Sequence, residues 1–232
     1  MSAVIPLFPL GHVLLPGMPL PLHIFEQRYH DLLADIAEPV PGASGGASFG
    51  VVALRSGTEA RVERSDEAGG GAPDVEEIGT LAEILEIEPA DDGSSDLLSV
   101  GSRRFRVTSL ITAGKPYLRA EVEYLDEADG DLRPEQGTRA RELIEVYDEI
   151  LTRLAGRATG SELPDDANQL SYQIAARLPL PPGERQALLC DPTTAARLDR
   201  VARLLRREIL LLRGTRSIAV SPAVLRMVTG VN

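Results

Sequence analysis

The sequence predicts an α+β protein in which a small closed or half-closed β-barrel is followed by a helical bundle. Three observations carry this expectation. The hydrophobic period is two from residue 4 to about 125, it changes to about 3.6 after the polar stretch "DEADGDLRPEQG", and the two parts differ in charge. With 232 residues, 43% of them apolar and 25% charged, the chain can bury a sizeable core in one large domain or two small ones. The expected boundaries are a barrel subdomain over 1–125 with one helix near 26–37, a linker over 126–138, and a bundle over 139–232.

The strands follow from alternation. In "YLRAEVEYL", Leu118, Ala120, Val122 and Tyr124 alternate with Arg119, Glu121 and Glu123, the pattern of a strand with one wet face. "FRVTSLIT" places Phe105, Val107 and Ile111 on one side. "IGTLAEILEIE" is apolar on both faces, with Leu81, Leu85 and Ile87 opposite Ala82 and Ile84, and so reads as a more central strand. "FGVVAL", "VIPLF" and "HVLL" supply further short strands, and "EPVPGASGGAS" and "SDEAGGGAPD" read as Gly-rich surface loops. Six or so short strands favour a barrel because closure removes unpaired edges.

The second part reads as helices. Ala140, Leu143, Ile144, Tyr147, Ile150, Leu151 and Leu154 form a stripe that ends near Gly156, and Leu170, Ile174 and Leu178 form another, stopped by Pro179 and Pro181. "PPGERQALLC" is a short helix with Pro182 near its first turn. "TTAARLDRVARLLRREILLLRG" is a long one, with Thr193 or Thr194 as N-cap, Leu198, Val201, Leu205, Ile209 and Leu212 inward, and Gly214 as its stop. Four such helices make a bundle. The tail "SIAVSPAVLRMVTGVN" is expected as a strand or short helix docked on the body.

Composition excludes several functions. Residues 1–135 carry 10 Lys+Arg against 24 Asp+Glu, a net of −14, whereas residues 136–232 carry 14 against 11, a net of +3. So acidic a surface repels phosphate backbones, and no nucleic-acid binding is expected of the N-terminal part. Arg200, Arg203 and Arg207 line one face of the last long helix and read as a solvated face answering the acidic half. The apolar N-terminus lacks a basic n-region and is broken by Pro6, Pro9 and Pro16, so it does not read as a signal peptide. No run approaches the roughly 18 apolar residues a membrane helix needs. With Cys190 as the single cysteine, a soluble cytoplasmic protein without a disulfide framework or membrane association is expected.

"PLPLHIFEQRYHDLL" spaces His23, Glu26 and His30 at three and four, which on one helix would suggest a metal site. Pro19 and Pro21 favour extended backbone up to His23, however, which breaks a three-ligand geometry, and the motif is neither H-E-x-x-H nor H-x-x-E-H. No metal is expected. Phe25, Tyr29, Leu32, Leu33 and Ile36 predict a helix with this stripe inward, along whose exposed face Glu26 and His30 would pair. Lys115, the only lysine, lacks the context of a phosphate-binding loop, so no nucleotide cofactor is expected. The same lysine, at a Gly-Pro turn, is a poor partner for a catalytic serine. Spacing alone does not decide on a Ser/His/Asp triad, although all three histidines precede residue 31 and there is no G-x-S-x-G. Cys190 in "ALLCDP" reads as a core or helix-end thiol rather than a nucleophile.

"IPLFPLGHVLLPGMPLPLHIFEQRY", followed in order by "FGVVAL", "IGTLAEILEIE" and "VGSRRFRV", resembles the N-terminal substrate-binding domain of Lon proteases in its free-standing bacterial form. "LPLPPGERQALLCDPTTAARLDRVARLLRREI" resembles that family's helical part. The resemblance implies a PUA-like barrel followed by a helical bundle, and binding of unfolded or degron-bearing polypeptides without catalysis. The partner it implies is a protease or chaperone made separately. Two other readings use the same scaffold: a small-molecule-binding protein or enzyme, and an RNA binder, the latter by fold analogy alone.

Polypeptide-binding candidates are Leu15, Met18 and Leu20, in an apolar segment folded back at Pro16-Gly17; if they are not exposed, they close one end of the barrel. Glu26 and Arg104 match charged positions of the family blocks. They are expected to pair, tying the helix to the "GSRRF" strand, with a cleft beside them as a ligand site.

Overall fold

Alternating side chains in the first part of the chain produce six strands and one helix: β1 (Ser2–Leu10), β2 (Pro19–Ile24), α1 (Gln27–Asp35), β3 (Ser48–Ala53), β4 (Ile78–Pro89), β5 (Ser95–Ile111) and β6 (Arg119–Tyr124). The computed structural model describes residues 2–36, 47–55, 72–155 and 162–215. Of the expected loops, "EPVPGASGGAS" and "SDEAGGGAPD" lie largely outside these residues, and the tail "SIAVSPAVLRMVTGVN" lies wholly outside them.

β1 runs parallel to β3 and antiparallel to β6, and β3, β4 and β5 follow one another antiparallel. β5 also pairs with β6, which closes β1-β3-β4-β5-β6 into a barrel and leaves β2 as an edge strand on β5. Ile5, Leu7, Val52, Leu81, Phe105, Ala120 and Val122 fill one core. The opposite faces of the same strands give Phe8, Phe49, Val51 and Ala82 to a second core, completed by Leu20 and Ile24 of β2 and by Tyr29, Leu32 and Ile36. Tyr29 stacks on Phe8 with ring centroids 3.9 Å apart, which seats α1 over the barrel wall.

Three expectations are corrected here. "HVLL" forms no strand: Val13, Leu14 and Leu15 are buried in irregular backbone, held where Thr80 Oγ1 donates to the Leu14 carbonyl at 2.7 Å. Phe25 points outward and is 71% exposed, because it precedes the N-cap Glu26, whose backbone is extended, and the helical phase does not reach it. Leu85 and Ile87 are exposed rather than shared between two buried faces, because a register shift between Ile84 and Glu86 breaks the alternation.

The chain divides into two compact units between Asp126 and Glu127. The second unit contains, among the described residues, four helices: α2 (Pro134–Ala155), α3 (Ala167–Arg177), α4 (Pro182–Leu189) and α5 (Thr194–Thr215). Thr193 caps α5, its Oγ1 accepting from Ala196 N at 3.2 Å, and Asp166 caps α3 by accepting from Gln169 N at 2.8 Å. Ile144, Tyr147, Leu170, Ile174, Leu198, Val201 and Leu205 are buried. Within the stretch 126–138, expected as a linker, the backbone is bonded to the start of α5. Thr194 N and Ala195 N donate to the carbonyls of Ala128 and Asp129 at 2.9 and 3.1 Å, and α2 already begins at Pro134. Gly214 does not stop α5, which runs on to Thr215. Arg200 and Arg207 make local ion pairs within this unit, a bidentate one with Asp191 at 2.7 and 2.8 Å and one with Glu184.

Candidate functional site

Edge strand β2 organises the exposed apolar surface of the first unit. Leu20, Leu22 and Ile24 alternate with Pro19, Pro21 and His23, so the strand turns its leucines and isoleucine toward the core and its prolines and histidine outward. On the outward face the register sets Pro21 opposite Leu98 and Leu98 opposite Glu86, and next to this row His23 opposite Asp96 and Asp96 opposite Glu88. His23 Nδ1 lies 2.8 Å from Asp96 Oδ1, and Leu98 is 38% exposed between the carboxylates. The turn of the β4–β5 hairpin is held by Asp92, which accepts from Ser94 Oγ at 2.6 Å and from Ser94 N at 3.0 Å. These bonds keep its carboxyl below the ordinary range.

Two clefts flank β2 and share Leu22 and His23. One, of about 390 Å³, lies over the row of Pro21, Leu98 and Glu86 with Glu88, Asp96 and Leu97. The other, of about 310 Å³, is floored by Phe8, Leu10, Tyr29 and Leu54 and rimmed by Phe25, Glu26 and Arg28. Phe25 stands beside His23 with ring centroids 6.2 Å apart. A further cleft, of about 330 Å³, lies in the second unit between the starts of α2 and α3, at Pro134, Arg141, Asp165 and Leu170.

The named candidates fall out differently. Leu15 is 0% and Leu20 3% exposed, which corrects the exposure considered for these two and agrees with the alternative that they close one end of the barrel, whereas Met18 is half-buried against the second core. Their segment is drawn under the barrel end by backbone bonds from Gly17 N to Gly101 O at 2.7 Å and from Gly101 N to Met18 O at 2.9 Å. Glu26 does not pair with Arg104. Its carboxylate meets Arg28 of the same helix at 2.5 Å, a shorter reach than across to β5. Arg104 is buried, and its guanidinium donates to the Asp126 carbonyl at 3.5 Å. Nor does Glu26 pair with His30, whose Nε2 is buried. Phe25 and Leu98 belong to the exposed surface instead, and sequence reasoning missed both. The proline-broken start of α1 was the available signal for Phe25, whereas nothing in the sequence marks Leu98 as the outward member of "DLLSV".

No group of three His, Cys, Asp or Glu side chains among the described residues is placed to hold a metal ion. The His23–Asp96 pair is exposed, and no serine hydroxyl meets it among the described residues. Cys190 is exposed at the end of α4, its sulfur 3.6 Å from Gln186 Nε2. Lys115 Nζ is engaged by Asp35 at 2.8 Å. No described helix is long and apolar enough to cross a membrane.

A closed mixed barrel with two open clefts beside its edge strand is followed in the chain by a helical unit. A model of the ATP-dependent protease La (LON) substrate-binding domain matches residues 4–207, and the chain belongs to this family. Lon protease 2 of Syntrophobacter fumaroxidans is 30% identical over 204 residues, 85% of this chain and 23% of the relative. Lon protease 2 of Myxococcus xanthus is 30% identical over 218 residues, 90% and 24%. The chain thus spans about a quarter of the length of these curated relatives. Among solved structures, the Lon N-terminal domain protein from Xanthomonas campestris superposes with a TM-score of 0.62 at 30% identity, covering 86% of this chain and 97% of that one. The N-terminal domain of the Mycobacterium avium complex Lon protease gives 0.59 at 15% identity, over 88% and 98%, a likeness of fold alone.

Proposed function

We propose that this chain binds unfolded or degron-bearing polypeptides through the clefts that flank β2. In this reading it does so without catalysis of its own, in the cytoplasm, and hands them to a protease or chaperone made as a separate chain. The observation that carries the reading is the apolar surface at these clefts: Phe25 and Leu98 stand exposed on them, in a domain whose family is named for substrate binding. The cleft volumes of about 310 and 390 Å³ lie at the bottom of the range for drug-sized ligands, about 300–1,000 Å³, which favours an extended chain laid across a surface over an enclosed small molecule.

The test is a binding titration of the purified protein with one labelled client, a permanently unfolded reduced polypeptide, against its folded form. Saturable binding of the unfolded form alone, with no cleavage on prolonged incubation, is expected. Equal binding of both forms, or none, rejects the reading. The adaptor role is checked separately, by co-purification of a protease or chaperone that releases the bound client.

A further inference from the structure

We infer that the polypeptide segment preferred by the cleft over Leu98 is an apolar or aromatic residue flanked by lysine or arginine. This rests on the polypeptide-binding reading above and adds the chemical class of the segment. Residues 83–99 contain six carboxylates, Glu83, Glu86, Glu88, Asp91, Asp92 and Asp96, and no lysine or arginine. Glu86 and Glu88 line the cleft beside Leu98 and make no ion pair among the described residues. Among the described residues, Arg28 pairs with Glu26, Arg55 with Glu76, Arg106 with Glu77 and Lys115 with Asp35. Among the described residues lining this cleft, the one cation-forming group is His23, and it is already beside Asp96. Leu98 beside Glu86 and Glu88 therefore presents an apolar seat with a negative rim, and its electrostatic complement is a basic-flanked apolar residue.

Backbone chemistry also limits how such a segment sits. β2 is the free edge of the sheet, the usual place for an incoming strand to pair. Pro19 and Pro21 have no N–H, and a proline in a paired strand occupies a position whose N–H would face away from the partner, so these donors are missing from the open edge. The segment is thus held by its side chains on the outward face rather than as a seventh strand.

The experiment uses the full chain and four labelled disordered peptides in fluorescence anisotropy: an apolar core flanked by Lys, the same core flanked by Glu, the same core flanked by Ser, and a Ser core flanked by Lys. The Lys-flanked apolar peptide is expected to bind about tenfold more tightly than the Glu-flanked one at low salt, with the difference closing as salt rises. E86Q/E88Q, at two exposed positions, should reduce the Lys-flanked affinity toward that of the Ser-flanked peptide, with an unaltered urea midpoint showing that the fold is intact. Equal affinity for Lys- and Glu-flanked peptides, or no effect of E86Q/E88Q, overturns the charge preference while leaving polypeptide binding standing. Binding of the Ser-cored peptide as tightly as the apolar one overturns the apolar seat. Failure of all four to bind overturns both this inference and the reading beneath it.

Discussion

Gly101 of β5 and Leu15 meet backbone to backbone. A Cβ at Gly101 would come closer than 3.0 Å to the Leu15 carbonyl oxygen, which already accepts from Met18 N at 3.0 Å to form the Pro16-Gly17 turn. Two blocks distant in sequence, "LLPGMPL" and "GSRRF", are thereby locked together, and the lock sets where β2 leaves the turn to pair with β5.

G101A is expected to destabilise the first unit by about 2–4 kcal/mol, because the obstacle is backbone and cannot swing aside as a side chain would. Urea unfolding followed by circular dichroism measures it. A loss below about 0.5 kcal/mol, the scale of an ordinary surface change, would mean the turn shifts freely and does not position β2.

Leu20 and Met18 follow the same logic. Leu20 is buried in the core that α1 closes, and Met18 packs on its edge, so M18S/L20S removes apolar contacts and buries a hydroxyl. A cost of about 3–5 kcal/mol is expected, from the lost side-chain volume and the unpaired polar group together. A fully stable double variant with weakened client binding would instead return these residues to the binding surface.

In the second unit, Arg197 is wholly buried and lies over the Tyr172 ring, 3.8 Å from its centroid. Its guanidinium donates to Ser171 Oγ at 2.7 Å, to Glu127 at 3.2 Å and to Asn168, while Tyr172 Oη donates to the same Glu127 at 3.0 Å. R197A removes the buried cation from these acceptors and should cost about 3–5 kcal/mol. R197K keeps the charge but loses the planar stack and fork, and should recover only part of it in thermal unfolding.

The elements were legible where one periodicity governs a whole segment. Ala120 and Val122 alternate on β6 and are buried, and Leu198, Val201 and Leu205 face inward on α5 as the 3.6 period requires. The site was less legible because it lies where periods break. Phe25 sits one residue before the α1 N-cap, and Leu85 sits at a register shift, so each inherits a phase from the wrong side of a boundary. Leu15 was misplaced for a different reason: an apolar residue beside a Pro-Gly turn looks exposed unless Gly101, some eighty-five residues on, is known to lie against it. The Glu26–Arg104 pairing failed because a partner two residues away, Arg28, was nearer.

Acid should loosen α1 before the barrel. Lys115 and the Tyr117 hydroxyl, which donates to Asp35 Oδ2 at 2.5 Å, hold the Asp35 carboxyl below its ordinary range. A depressed carboxylate contributes stability that is complete above the unfolded value near 3.9 and is lost as pH falls through the folded one. Burial, and then the bond to Asp35, push the Tyr117 hydroxyl up to about 12, a contribution present below 10 and lost as pH rises through that value. D35N should therefore flatten the acid limb of the stability profile and lower the midpoint at which Tyr117 ionises in an ultraviolet titration. An unchanged acid limb would show that Asp35 is equally solvated in the unfolded chain.

Phe25 gives the sharpest separation of binding from folding. It is 71% exposed, and it rims the cleft floored by Phe8 and Leu54. A large aromatic held open to water by a rigid strand end is poised to contribute to a partner rather than to the fold. F25S should therefore shift the urea midpoint by no more than a surface change does, within about 0.5 kcal/mol, while weakening an unfolded client by about 1–3 kcal/mol. L98S, in the neighbouring cleft, should behave likewise, and the two losses should add if the clefts bind separate side chains of one segment. If F25S leaves client affinity untouched in a fully folded protein while L98S reduces it, the binding path lies over the β4–β5 hairpin alone and the Phe25 cleft is not part of it.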